Sequence, residues 1–213
     1  MPHRPVRRLV LASASPARLT LLRAAGLAPD VVVSGVDEDA VTGLAPADAA
    51  RTLAERKAEA VGRRLADEPG DDGERPRALV VGCDSMLVID GEVRGKPVSA
   101  DQALAWWRAQ RGRSGVLVTG HAVVDVTTGR RTSGVAETVV RFGCPSDAEI
   151  EAYIATGEPL GVAGACTIDG YGAPFVAGIE GDHGTVMGLS LPLLRTLLAD
   201  LGVSITDLWV LPS

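Results

Sequence analysis

Apolar and polar positions alternate at the start of the chain in a way that predicts a strand, a helix and a second strand. Leu9–Ala12 and Val31–Ser34 are short apolar runs typical of buried strands. Between them lies the amphipathic stretch Pro16–Ala25, which we expect to be a helix that ends at Gly26. Strand-like and helix-like segments continue to alternate along the chain, which predicts an α/β fold with helices layered on a sheet.

A longer amphipathic segment, Ala47–Leu65, is predicted to form the next helix and carries Lys57 among its polar positions. Its apolar residues keep helical spacing; they are Ala50, Leu53, Ala54, Ala58, Val61 and Leu65. The following residues, Asp67–Arg77, are charged, rich in glycine and proline, and without large apolar side chains. We expect them to form a surface loop.

Two further strands, ALVVGC and MLVI, are predicted on either side of Asp84. The turn after MLVI contains an Asp-Gly pair, which is typical of two-residue β-hairpins. Capping-box patterns predict that helices begin near Ala100 and Asp147. Between these helices, the alternating sequence GVLVTGHAVVDVTTGRRTSGVAETVVRF predicts a long hairpin, and a final helix is expected over Leu191–Leu201.

The composition changes this picture only by excluding some classes of partner. The chain has 213 residues, of which 46% are hydrophobic, so a sizeable core is expected. Its formal net charge of -6 argues against nucleic acid as a partner, because nucleic-acid-binding proteins usually carry a basic surface. A small anionic substrate stays compatible with this charge, since a few cations can create a local positive field.

The cysteines and the N-terminal sequence indicate the compartment. Cys83, Cys144 and Cys166 are widely spaced and include no CxxC pair, so neither a disulfide framework nor a zinc site is expected. The chain shows no apolar run of about 18 residues and no signal-peptide core after its basic start. We therefore expect a cytoplasmic protein with no membrane partner, with residues 1–6 as a flexible tail and residues 7–213 as a single domain.

The opening strand-to-helix junction, LASASPAR, has two interpretations. Ser15 is a good N-cap and Pro16 a good first helical residue, so the junction is at least a well-formed helix start. A helix N-terminus also exposes backbone N–H groups and the positive end of the helix dipole, which suit a phosphate group. Arg18, near the start of that helix, would then bind phosphate oxygens with its guanidinium group.

Acidic and basic candidates elsewhere are ambiguous when taken one at a time. Asp84 follows an apolar strand and is either a turn carboxylate or a buried acid that needs a metal or a lysine. Lys96 lies in GEVRGKP, which departs from a P-loop in glycine spacing and in the proline after the lysine. Lys57 and Glu38, by themselves, are expected to be solvated. These residues alone leave the function open.

Six motifs occur in order between about Leu9 and Leu201: LASASPAR, VDE, ERKAEAV, GCDS…DGEVRGKP, GEPLGVAGACTIDGYGAPFVAGIEGD and VMGLSLPLL. Together they resemble the Maf family, the septum-formation-associated nucleotide pyrophosphatases. The resemblance implies a single α/β fold similar to that of inosine-triphosphate pyrophosphatases, with a mixed twisted sheet flanked by helices and two lobes around a central cleft. It also implies metal-assisted hydrolysis of a nucleoside triphosphate to the monophosphate and pyrophosphate.

The resemblance implies roles for individual residues in phosphate binding, charge stabilisation and metal binding. The matched residues are Ser13, Ser15 and Arg18 in the phosphate-binding loop, the cations Lys57 and Lys96, and the acids Glu38 and Asp84. The two acids would hold Mg²⁺ or Mn²⁺ through carboxylate oxygens. Asp84 also matches the proton acceptor of the family, so the roles of metal ligand and general base both stay open for it.

Three positions associated with base choice depart from the known subgroups. They read Ala17, Ser85 and Asp169, where the subgroup acting on dTTP and UTP has Arg, Thr and Gln. The subgroup acting on 7-methyl-GTP, with Trp, Gln and Glu, does not match either. An ionised carboxylate at Asp169 only accepts hydrogen bonds, so it is expected to favour a base edge with an amino group, as in guanine or cytosine.

Two alternatives to an enzyme are considered. One is a nucleotide-binding regulator of septum formation or cell division that binds without turnover; the other is a scaffold at the septum. The presence of both acids together with the lysines favours the enzyme. Trp106 and Trp107 are adjacent on a predicted helix, so one is expected in the core and the other is a candidate for a homodimer interface.

Overall fold

The computed structural model describes residues 7–37, 41, 43–68 and 75–210. The expected tail over residues 1–6 and the middle of the expected loop over residues 67–77 lie outside these ranges. The strands of the described chain are β1 (Arg8–Leu11), β2 (Asp30–Val31), β3 (Ala78–Ile89), β4 (Glu92–Arg94), β5 (Ser114–Asp125), β6 (Arg131–Phe142) and β7 (Val176–Glu180).

Six α-helices alternate with these strands within the described ranges. They are α1 (Pro16–Ala24), α2 (Pro46–Ala66), α3 (Ala100–Gln110), α4 (Asp147–Ala155), α5 (His183–Met187) and α6 (Leu191–Asp200). Short 3₁₀ helices span Glu158–Gly161, Ala163–Ala165, Gly170–Phe175 and Ile205–Leu208. The predicted α/β class is confirmed.

The seven described strands form one mixed sheet in the order β2-β1-β3-β5-β6-β7, with β4 paired to β3. β1 is parallel to both β2 and β3, and Leu11 lies opposite Val81 in the register. β4 and β7 run antiparallel to β3 and β6. The first three strands therefore run in the same direction, and β3 continues beyond the end of β1 to Ile89.

The chain divides into two compact units, and each has its own apolar core. The first comprises the described parts of Met1–Asp84, Gly120–Val135 and Gly188–Ser213, and the second comprises Ser85–Thr119 and Ala136–Met187. In the first unit, α2 buries all six apolar positions that its spacing predicted. In the second, the fully buried Trp107 packs edge-on against Phe142, Tyr153 and Phe175.

Trp106 is only half-buried, and the guanidinium carbon of Arg94 lies 5.8 Å from its ring centroid. The expectation that one member of the tryptophan pair is in the core is confirmed by Trp107. A homodimer interface at Trp106 stays a prediction.

Local sequence signals positioned most turns and helix starts correctly. Asp90 and Gly91 both have positive φ angles, 51° and 81°, as a type I′ hairpin turn requires. Ser146 and Glu149 form a complete capping box at the start of α4. Ser99 caps α3, but the Gln102 side chain accepts from the backbone of Val98 and not from that of Ser99.

Two strand predictions are wrong. ALVVGC and MLVI are not separate strands; they form the continuous strand β3, with Asp84 inside it. The chain does not turn there because the carboxylate is paired within the structure. The predicted strand Val31–Ser34 is shortened to Asp30–Val31, because its partner β1 ends at Leu11 and offers only two residues for pairing.

Within the described residues, the structure contains no helix of the length and apolarity that crossing a membrane requires.

Candidate active site

The junction between β1 and α1 forms a compact loop that presents a helix N-terminus. Ala12 still pairs with β3, since its N–H donates to the backbone oxygen of Val81 at 2.8 Å. The Ser13 hydroxyl oxygen then accepts from the Ser15 N–H at 3.2 Å, and the Ser15 hydroxyl oxygen caps α1 by accepting from the Arg18 N–H at 3.4 Å. Both interpretations of the junction are therefore compatible with its geometry.

The Arg18 guanidinium is held by two buried contacts. Its Nε donates to the backbone oxygen of Gly188 at 2.7 Å, and its Nη1 donates to the Ser13 hydroxyl at 3.0 Å. The side chain is buried, at 8% exposure. The Ser13 oxygen accepts twice, from Ser15 and Arg18, so among the described groups its own proton stays available for an anionic ligand.

Helix α2 lies unusually close to β3 because Gly82 has no side chain. A Cβ atom at Gly82 would lie 2.3 Å from the backbone oxygen of Ala54 and 3.0 Å from the Cβ of Ala58. Gly82 and Asp84 are two residues apart on the strand and therefore face the same side of the sheet. The helix that contacts Gly82 consequently brings Lys57 to Asp84.

Lys57 and Asp84 form a buried ion pair, with Lys57 Nζ 2.6 Å from Asp84 Oδ1. Lys57 is 6% exposed and Asp84 is 7% exposed. The expectation of a solvated Lys57 is therefore wrong. Of the two interpretations of Asp84, the structure agrees with the buried acid that pairs with a lysine. A charge at this depth needs a partner, because leaving a buried ion unpaired costs about 3–5 kcal/mol.

The Cys83 thiol connects these two groups electrostatically. Burial raises its pKa to about 11, while the nearby charges of Arg18 and Lys57 act to lower it and that of Asp84 acts to raise it. Arg18 and the Lys57–Asp84 pair therefore all influence the ionisation of this thiol. Because the thiol stays protonated at neutral pH, it is not a nucleophile, and the chemistry of the site belongs to its oxygen and nitrogen groups.

Ala17 is half-buried in α1 of the first unit. Three other predicted residues lie in the second unit. Lys96 is exposed. Ser85 is half-buried and 2.9 Å from the Thr119 hydroxyl, which donates to the backbone oxygen of Thr185. Since Thr119 has only one hydroxyl proton, Ser85 is the donor in their contact. Asp169 is exposed and is the residue before the 3₁₀ helix Gly170–Phe175.

The segment that carries Asp169 is fixed by Glu158. The Glu158 carboxylate accepts hydrogen bonds from the Thr167 hydroxyl at 2.5 Å and from the N–H groups of Tyr171 and Gly172 at 3.0 Å each. Burial acts to raise the pKa of Glu158, but these donors outweigh it and hold the pKa below its ordinary value. Glu158 is therefore ionised at neutral pH and organises this turn.

Of the two predicted metal ligands, Asp84 lies within the described residues. Glu38, the other predicted ligand, lies outside the described residues. Within residues 7–37, 41, 43–68 and 75–210, no three His, Cys, Asp or Glu side chains are grouped as a metal site would need. Asp84 alone fits Mg²⁺ or Mn²⁺, because Mg²⁺ is commonly held by one or two carboxylates together with substrate phosphates.

These features define an α/β protein in which the N-terminus of α1 and a buried lysine–carboxylate pair belong to the same unit. Residues 8–201 match the family model described as Maf-like protein. The chain belongs to the Maf family.

Curated relatives cover almost the whole chain. A protein of Streptomyces coelicolor is 61% identical over 98% of both chains. Another from Salinispora tropica is 58% identical over 95% of this chain and 87% of its own, and one from Mycobacterium ulcerans is 50% identical over 95% and 96%. Each of these relatives is named nucleoside triphosphate pyrophosphatase.

Sequence reasoning missed two residues beside the phosphate-binding loop. Gly188 contributes only a backbone oxygen, for which the sequence carries no side-chain signal. His121 belongs to none of the motifs, and its ring accepts a hydrogen bond from the N–H of Ser190, two residues after Gly188. A histidine inside the apolar stretch LVTGHAVV was the available signal.

Proposed function

We infer that this protein hydrolyses a nucleoside triphosphate to the nucleoside monophosphate and pyrophosphate. One observation supports this above all: the first unit brings Ser13, Ser15 and Arg18 together around a helix N-terminus, beside the buried Lys57–Asp84 pair. The first group suits phosphate and the second suits proton transfer. Family membership and the names of the relatives agree with this activity.

The reaction needs positioning and charge stabilisation more than covalent chemistry by the protein. Displacement at the α-phosphorus adds charge to the departing pyrophosphate, and cations held in place before the reaction stabilise that charge. Arg18 would bind phosphate oxygens, with the Ser13 hydroxyl and the first N–H groups of α1 as further donors. Lys96 stays a proposed additional cation for the same phosphates.

Asp84 is the proposed acceptor of the proton from the attacking water. Its Oδ1 accepts from Lys57 at 2.6 Å, which fixes the orientation of the carboxylate. Once Asp84 has taken the proton, its carboxyl group is neutral. The positive charge of Lys57 then remains beside it without being compensated by Asp84. A general base must be held within hydrogen-bond reach of its water, and a carboxylate with a fixed orientation suits that role.

A divalent cation is the proposed cofactor. Asp84, with Glu38 as the second proposed acid, would hold Mg²⁺ or Mn²⁺ through carboxylate oxygens. When bound, such an ion neutralises phosphate charge and lowers the pKa of bound water.

Base selection is proposed to involve Ala17, Ser85 and Asp169. The exposed carboxylate of Asp169 only accepts hydrogen bonds, so an amino-bearing base such as guanine or cytosine is favoured over thymine.

The cytoplasm is the proposed location, supported by the three cysteines, all of which are free thiols.

The test is product analysis in water labelled with oxygen-18, using a panel of nucleoside triphosphates with and without Mg²⁺ or Mn²⁺. We expect equal amounts of monophosphate and pyrophosphate, with the label in the monophosphate. Asp84→Asn should lower kcat by at least about 10²-fold, as loss of a general base typically does. Release of orthophosphate, or binding without turnover, would contradict the proposal.

Two further variants extend this test, one as a control and one as a test of base selection. Asp200→Asn, which removes an exposed carboxylate at the end of α6, should leave kcat unchanged. Asp169→Gln should lower kcat/KM for GTP or CTP relative to kcat/KM for dTTP. An unshifted ratio would remove Asp169 from base selection and leave the hydrolytic activity intact.

A further inference from the structure

His121 is a fully buried polar residue in the first unit that the proposed mechanism does not use. It lies in β5, and its Nε2 is 2.7 Å from the backbone nitrogen of Ser190. A backbone N–H can only donate, so Nε2 must be the acceptor and carries no proton. The neighbours Ala122 and Val123 are apolar and buried, so packing alone does not require a hydrogen-bond acceptor at position 121.

The Ser190 N–H belongs to a three-residue segment that also supports Arg18. The segment starts at Gly188, whose φ angle of 99° lies in a region that favours glycine. Leu189 is fully buried, and the Ser190 hydroxyl caps α6 by accepting from Leu193. At the other end of the segment, the Gly188 oxygen accepts from Arg18 Nε at 2.7 Å. His121 and Arg18 thus contact the two ends of one short backbone segment.

We propose that His121 is a positioning residue for Arg18, acting through the backbone of Gly188–Ser190. The guanidinium is planar, so a contact at Nε and another at Nη1 fix which of its edges meet a phosphate. His121 fixes Ser190, the segment fixes the Gly188 oxygen, and this oxygen orients Arg18. The proposal rests on the proposed function, in which Arg18 binds the phosphates, and adds a residue that does not touch them.

His121→Phe tests the proposal by removing the acceptor while keeping a ring of similar size. We expect KM for the preferred nucleoside triphosphate to rise about tenfold, the equivalent of about 1.4 kcal/mol. The affinity for inorganic tripolyphosphate, measured by calorimetry, should fall by the same factor. His121→Gln provides a non-titrating acceptor near the position of Nε2 and should restore both values to within about twofold of the starting protein.

A structural control separates positioning from simple destabilisation. Val126→Ala shortens a buried side chain immediately after the same strand, and it should lower the melting temperature without changing KM or the affinity for tripolyphosphate. If His121→Phe does not fold, His121→Leu makes the same test with a smaller side chain. Unchanged tripolyphosphate affinity in a folded acceptor-free variant would overturn the proposal.

A double-mutant cycle with Arg18→Ala decides whether His121 acts through Arg18. If it does, His121→Phe should have little further effect on tripolyphosphate affinity once Arg18 is removed; additive losses would overturn the proposal. The calorimetric readout does not depend on turnover. An absence of pyrophosphate release by the unmodified protein would therefore contradict the proposed function, while the cycle would still test the link between His121 and Arg18.

Discussion

At the scale of single residues, the site depends on ionisable groups kept in defined states by burial. Lys57 and Asp84 compensate each other within a part of the first unit from which water is largely excluded. The pKa of Cys83 is influenced by the charges of this pair and of Arg18. The thiol keeps its proton because ionising it in a buried position costs free energy. The same burial that makes the pair useful for chemistry makes the thiol inert.

The raised pKa of Cys83 predicts a loss of stability at alkaline pH. Between its ordinary value of 9.0 and the value of about 11 in the folded chain, the unfolded chain releases the thiol proton while the folded chain retains it. The free energy of unfolding should therefore fall as pH rises through this window, by about 2 kcal/mol at pH 11 for this thiol. Urea titrations at a series of pH values measure the slope.

Cys83→Ala should have a smaller slope than the parent chain over the same pH range. Cys144→Ala, which removes an exposed cysteine, should leave the slope unchanged. Part of the slope will persist in Cys83→Ala, because burial also raises the pKa of Cys166 to about 12. An identical slope with and without Cys83 would show that this thiol ionises as readily when folded as when unfolded.

Residue types could be predicted from sequence, but their environments could not. The motif resemblance selected Lys57, Asp84 and Arg18 as candidates, and in the structure the charges of all three influence the Cys83 thiol. Taken alone, Lys57 was expected to be solvated, because helical spacing shows which face is apolar and not how close the next layer lies. The burial of Lys57 depends on a glycine in a different segment.

At the scale of elements, the site depends on the distance between α2 and β3. Gly82 permits the contact with Ala54, and Gly120 permits a second one, since a Cβ there would lie 2.2 Å from the backbone of Ala50. Two glycines on neighbouring strands thus let one helix lie flat against the sheet. The helix could be predicted from its periodicity, but this close approach could not.

Gly82→Ala should damage both stability and activity. The new Cβ cannot be accommodated without moving the backbone of α2, so we expect a loss of about 1–3 kcal/mol of unfolding free energy. The same movement would separate Lys57 from Asp84, and kcat should fall by about 10²-fold, as misplacement by about 1 Å typically causes. Urea denaturation and pyrophosphate release measure the two effects.

Gly161→Ala is the matched control, because a Cβ at Gly161 would have no neighbour within 4 Å. It should change neither quantity appreciably. Wild-type kcat in Gly82→Ala would mean that the separation of α2 and β3 does not govern the Lys57–Asp84 pair.

Strand boundaries show the limit of local patterns at this scale. Asp84 interrupts an apolar run, and a carboxylate between two such runs normally indicates a turn. Here the partner that keeps the strand continuous is Lys57, 27 residues earlier in the chain. The Asp-Gly turn after Ile89, in contrast, depends on the positive φ angles of adjacent residues and could be predicted.

At the scale of the whole molecule, an acidic protein must attract an anionic substrate through local charge. The net charge of -6 is repulsive toward a triphosphate, whereas Arg18 and Lys57 are concentrated near one loop of the first unit. Salt screens exposed charges at a distance more strongly than buried groups in direct contact with a ligand. Varying the salt concentration therefore measures the balance between long-range repulsion by the net charge and local attraction by the buried cations.

KM should rise with ionic strength, by a few-fold between about 20 and about 200 mM NaCl, because binding of the multivalent anion is screened. We expect kcat to change little, since the proposed contact between the buried Arg18 guanidinium and the phosphates is short-range and is screened less by salt. Steady-state kinetics at constant free metal concentration measure both constants. A KM that falls with added salt would mean that long-range repulsion by the acidic surface outweighs the local attraction.

The α/β class could be predicted because the longer helices and most strands carry their own periodicity, whereas the short elements α5 and β7 were not predicted. The division into two compact units could not, since β3, β5 and β6 each contribute residues to both. A local pattern shows where a strand begins and ends, but not which core each of its residues joins.

The turn around Asp169 has a consequence for how the substrate range of such an enzyme can change over generations. Its backbone is held by Glu158 through Thr167, Tyr171 and Gly172, while the Asp169 side chain is exposed and makes no capping hydrogen bond. Replacing Asp169 therefore costs the fold almost nothing. Mutation can therefore change the side chain that is proposed to select the base without first acquiring compensating changes elsewhere.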